Sequence, residues 1–283
     1  MRKAIVLVFF LTLAVDLKVT FAQDSLVAGH KIIPQFSINV STENIGLTYN
    51  YTITNGMGAE QEIYRFWLLP PSTVIVSNLK APEKWYIGVH DEDFLIINCV
   101  ASDKNIKPGS SLSGFSFRSA SIPGIISFYA EGEHRLPKFE PGMATDSIPG
   151  YSDLTPYGPG VVGKTVGPIL PADPFVAMAF LDTLISYKHD AASLGWVGQE
   201  GFVKQLDEKL DQSRDQLTKG HIKQARDKVE EFLKKLENEA KKTEKDQDKK
   251  NDKKWVTSEG YALLKFNAEY LIEKLDEQIT KKK

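Results

Sequence analysis

Gly158-Pro159-Gly160-Val161-Val162-Gly163-Lys164-Thr165 fits the phosphate-loop formula GxxxxGK[ST] letter for letter. A working phosphate loop needs a buried strand to deliver the glycine turn and a helix starting at the lysine, because stacked N–H groups and the helix N-terminus hold the phosphates. Residues 151–157 supply no apolar strand, and Pro168 stops a helix within a turn of Thr165. Pro159 also removes one backbone donor from the cradle. Gly158, Gly163, Lys164 and Thr165 therefore read as an accidental match, and no nucleotide or other cofactor is expected. The match lies within a proline- and glycine-rich run over residues 136–174, between β-patterned and helix-patterned sequence. A run of this length without regular structure is unusual inside one compact domain, so it reads as a linker between two modules.

Before the linker, Ile45, Leu47, Tyr49, Tyr51 and Ile53 alternate with Gly46, Thr48, Asn50 and Thr52. Period two over nine residues predicts a half-buried strand. Further β-rich runs cover 32–40, 62–69, 73–76, 85–89, 94–100, 112–118 and 124–130, separated by turn residues. About eight short strands without crossover helices predict an antiparallel sandwich over residues 23–135. His90-Asp91-Glu92-Asp93 reads as a solvated hairpin tip, with too few oxygens for calcium. The segment from Ile106 to Phe117 is similar to a pattern that opens strands in many secreted bacterial sandwich domains.

After the linker, Asp173-Pro174 predicts a helix start, with a capping carboxylate and then proline at the first helical position. An apolar helix is expected over 175–187. A second follows over 199–219 with Val203, Leu206, Leu210 and Leu217 on one face, closed by Gly220. A third carries Ile222, Ala225, Val229, Phe232, Leu233 and Leu236. Residues 241–254 hold seven lysines and four acids and bury no face, so they read as a charged loop or frayed extension. Thr257 or Ser258 caps a last helix, giving an all-α bundle of about four helices over 175–283. The overall expectation is α+β multi-domain: a sandwich followed by a bundle.

Leu194-Gly195, Gly201, Leu206, Leu210, Leu217, Gly220, Ala225 and Phe232, followed after a loop by the run from Tyr261 to Leu264, resemble the FIMAH-type helical modules near the C-termini of bacterial secreted proteins. The resemblance implies a secreted or cell-surface accessory module and brings no catalytic residues. The lysine-rich 241–254 insert departs from the compact pattern.

Arg2 and Lys3, an apolar run from Ala4 to Val15 and small residues before Gln23 predict a signal peptide over 1–22, leaving 283 − 22 = 261 residues. No other stretch reaches the roughly 18 apolar residues of a membrane helix, and localisation is expected to be extracellular or periplasmic. A single cysteine, Cys99, excludes an intrachain disulfide and a cysteine metal cage. A formal charge of −2 does not suggest a nucleic-acid partner. Asn39 and Asn50 begin two glycosylation sequons, a number expected by chance.

No HExxH pair or GxSxG elbow occurs, and His30, His90, His134, His189 and His221 are dispersed, so no metal site or catalytic residue is assigned. Trp67, Trp85, Tyr86 and Phe94 are the residues able to stack on sugar rings, weighed against a place in the core. Trp85-Tyr86 is the favoured ligand-binding pair, because neighbouring strand residues face opposite ways and one must reach the surface. These readings point to a secreted non-enzymatic protein that binds polysaccharide or another cell-surface component. The alternative is a secreted hydrolase, acting on glycans with a carboxylate pair that leaves no motif.

Overall fold

The computed structural model describes residues 31–43, 46–91, 95–101, 104–133, 160–245 and 256–281. The expected signal peptide, Gly158, Phe94, and most of the charged insert lie outside them. Among the described residues nine strands and four helices follow in order: β1 Pro34–Thr42, β2 Leu47–Asn55, β3 Ile63–Leu69, β4 Ser77–Lys80, β5 Trp85–Asp91, β6 Leu95–Ala101, β7 Ser111–Ser119, β8 Ile122–Gly132, β9 Val161–Ile169, α1 Ala177–Ser193, α2 Glu200–Thr218, α3 Ile222–Lys245 and α4 Ser258–Lys281. The strands form two antiparallel sheets, ordered β1-β2-β7-β4 and β5-β6-β3-β8-β9. The β-sandwich and the helical bundle both stand as expected.

Alternation in β2 places Tyr49, Tyr51 and Ile53 in the core between the sheets. Rings from both sheets meet there: Phe36 stacks on Phe128 at 4.2 Å, and Phe115 lies edge-on to Phe66 at 5.0 Å and to Trp85 at 5.1 Å. The two phenols are satisfied by backbone, Tyr49 donating to Ser121 O and Tyr51 to Val166 O, both at 2.8 Å.

One correction concerns the linker expected over 136–174. Its described part from Val161 to Ile169 is β9, paired along its whole length with β8. Glycine hides this strand in the sequence, since glycine is depleted in strands, but here it meets a packing need. A Cβ on Gly163 would lie 2.4 Å from the Phe128 ring, and one on Gly167 would lie 2.3 Å from Ile126 Cδ1. Pro168 is tolerated because β9 ends its sheet and owes no N–H to a further strand. Two smaller differences follow the same logic. The run at 73–76 is not a strand; β4 begins at Ser77. The first helix begins at Ala177 after Val176, without a side-chain cap, so Asp173-Pro174 belongs to the approach and not to the helix start.

The last helix joins the two halves. Thr257 Oγ1 accepts the Gly260 N–H, the expected cap, and Ser258 Oγ accepts the N–H of Ile38 on edge strand β1 at 3.2 Å. About two and a half turns further on, Asn267 Nδ2 donates to Pro123 O of β8 and to Leu263 O, both at 2.7 Å. Leu263, Leu264, Phe266, Ala268, Leu271 and Leu275 are all buried, and the apolar core continues from the sandwich into the bundle without a break. Among the described residues no helix is long and apolar enough to cross a membrane.

Burial pushes the Tyr49 and Tyr51 phenols far above their ordinary value. In the unfolded chain both ionise near pH 10, whereas the fold keeps both protonated, so stability holds below that pH and falls above it. Replacing both by Phe is expected to cost about 1–3 kcal/mol at pH 7, the loss of two buried hydrogen bonds, and to flatten the alkaline decline. Urea unfolding between pH 7 and 11 measures both; an unchanged alkaline slope would place the loss elsewhere.

Candidate functional site

The outer face of the five-stranded sheet carries the aromatic and charged side chains that the core does not use. Along β5, Trp85 turns inward and its indole donates to Lys104 O at 2.7 Å, whereas Tyr86 points outward and is 67% exposed. The Trp85-Tyr86 pair is thus split as strand geometry requires. Trp85 is a core residue and not a stacking surface, which corrects half of that expectation; Tyr86 remains available.

Strand register assembles the rest. Tyr86 pairs with Val100, Val100 with Arg65, and Arg65 with Glu131, crossing β5, β6, β3 and β8 in one row. In the next row Trp67 pairs with Tyr129, and Tyr129 with Val162 of β9. Trp67 and Tyr129 meet at 4.8 Å with planes at 59°. The Arg65 guanidinium lies 5.3 Å from the Trp67 ring and 5.4 Å from the Tyr64 ring, within reach of cation–π attraction. Underneath, the buried Glu131 carboxylate accepts the Tyr64 hydroxyl at 2.5 Å and sits 3.7 Å from Arg65 Nη1. It neutralises the arginine and holds it over the rings. Tyr129 Oη accepts the Gly160 N–H at 2.6 Å, which fixes that ring as well.

Val162 and Lys164 of the phosphate-loop formula border this face. Lys164 lies mid-strand in β9 and donates to Ser127 Oγ at 3.0 Å, and the Thr165 hydroxyl is buried. No helix begins at Lys164. Sequence reading named Trp67 and Tyr86 but missed Arg65, Tyr64, Tyr129 and Glu131, because strand register alone sets them side by side. The alternating run through Phe128 and Ala130 was the available signal, since it leaves Tyr129 and Glu131 on the opposite face.

A second group of ionisable side chains sits between α1 and α2. Lys188 is fully buried and pairs with Asp207, and burial lowers its ammonium to about 8 against the pull of Asp211. This pair ties two helices together. Among the described residues no group of three or more His, Cys, Asp or Glu is placed to hold a metal ion.

Residues 182–248, spanning α1 to α3, match the FIMAH domain. The match ends before Tyr261–Leu264, so it does not include α4. Two solved structures are similar to the sandwich. A cohesin module from a family 33 glycoside hydrolase of Clostridium perfringens is 11% identical, over 35% of this chain and 79% of that one, with a TM-score of 0.25. An uncharacterized protein from Nocardia farcinica with an immunoglobulin-like fold is 10% identical, over 48% and 98%, with a TM-score of 0.28. No curated protein matches the chain.

Because Glu131 holds Arg65, Glu131→Leu is expected to leave a partly buried cation without its counter-charge. The expected loss of stability is about 1–3 kcal/mol. Adding Arg65→Leu should recover most of it, as measured by a double-mutant cycle in urea.

Proposed function

We propose that this is a secreted, non-enzymatic binding protein that grips polysaccharide or another cell-surface component through the outer face of its five-stranded sheet. The observation that carries this reading is the cluster of Trp67, Tyr129, Arg65 and Tyr64 beside the exposed Tyr86. Rings fixed in place lose little freedom on binding and offer flat apolar faces to the C–H side of a sugar. Arg65 adds donors for hydroxyl or carboxylate groups beside them. Tyrosine, tryptophan and arginine are also the side chains that dominate binding surfaces. The bundle acts as the accessory module that presents and spaces the sandwich, in keeping with the FIMAH match over its first three helices.

Incubating the protein, beginning at Gln23, with insoluble cell-wall and polysaccharide fractions tests the reading. Retention without release of reducing sugar is expected, with Tyr86→Ala and Trp67→Ala each weakening retention about tenfold while the fold persists. Released reducing sugar would establish the hydrolase alternative. Binding indifferent to both substitutions would remove this face from the function.

A further inference from the structure

The segment that leads from β9 to α1 borders a cavity of about 240 Å³ where sandwich and bundle meet. Ile122 and Ile169 wall it from the sheet side, and Phe175, Phe180 and Tyr187 from the helix side. Two further lining residues, Leu170 and Val176, are more than half exposed and give the opening an apolar rim. Asn267 of α4 also lines it. Both protons of the Asn267 amide are engaged by Pro123 O and Leu263 O, so the amide cannot turn over, and its Oδ1 is buried without a partner.

We propose that this cavity binds a small uncharged molecule with an apolar, ring-sized body and one hydroxyl or N–H donor, which Asn267 Oδ1 accepts. The size follows from the volume: an apolar cavity of roughly 150 Å³ takes up benzene, so the larger space holds a ring with a short substituent. The lack of charge follows from walls that carry no ionisable group except the Tyr187 phenol. The donor follows from the unmet acceptor, since a buried acceptor left unpaired favours any guest that supplies a proton. The site is independent of the sheet face proposed above for binding, which lies on other residues.

Titration of the full chain with phenol and with toluene, followed by ligand-observed NMR, tests this. Both probes are expected to bind, and Asn267→Leu is expected to weaken phenol about fivefold relative to toluene. Ala179→Phe, at an exposed lining position of α1, is expected to abolish binding of both with the melting temperature unchanged. Intermolecular NOEs from phenol to Phe180 and Asn267 in the unaltered protein give the same answer without any substitution. Absence of binding at millimolar probe, an unchanged phenol-to-toluene ratio in Asn267→Leu, or NOEs to other residues would each overturn the proposal.

Discussion

A sandwich of two open sheets has two open sides, and each side exposes a strand edge with unpaired N–H and C=O groups. Here one such side lies between β1 and β9, the end strands of their sheets. Helix α4 covers it. Its first turn takes the Ile38 N–H of β1 through Ser258, its middle takes Pro123 O of β8 through Asn267, and its buried residues continue the core between the sheets into the bundle. The rest of the structure depends on this closure: α1 and α3 pack on the same helix, and α2 packs on α3. Two architectures that each look self-sufficient in sequence thus share one interior.

The covered edge also explains the odd chemistry of β9. A strand that must fit against Phe128 and Ile126 has little room for side chains, and Gly163 and Gly167 supply the space. Gly163, with Lys164 and Thr165 after it, also completes a nucleotide-binding formula, and the fold uses it for close strand packing. On the opposite surface of that sheet the residues are freed from the core, and register gathers Trp67, Tyr129, Arg65 and Glu131 into one cluster. The stiffness of this cluster comes from the sheet beneath it and from Glu131, which anchors the arginine from below.

Much of the fold was legible because it rests on local spacing. The alternation of Tyr49, Tyr51 and Ile53 and the helical stripe of Ala225, Val229, Phe232 and Leu236 each named their element and its buried face. β9 was not legible, because glycine and proline suppress the strand signal and only the neighbouring strand explains why they are there. The site was half legible: Tyr86 and Trp67 carry their chemistry in their identity, whereas Arg65 and Glu131 become partners only when β3 and β8 pair. The link between α4 and the sandwich was invisible for a similar reason, since Asn267 and Pro123 are 144 residues apart.

The most direct measurement is urea unfolding of the Trp196→Phe, Trp255→Phe double variant, whose remaining tryptophans Trp67 and Trp85 both report on the sandwich. Tryptophan fluorescence would follow the sheets and ellipticity at about 222 nm the helices. If α4 makes one interior of the two halves, both signals should change together with a single midpoint. Two separate midpoints, with the sandwich surviving after the helices have melted, would contradict the account.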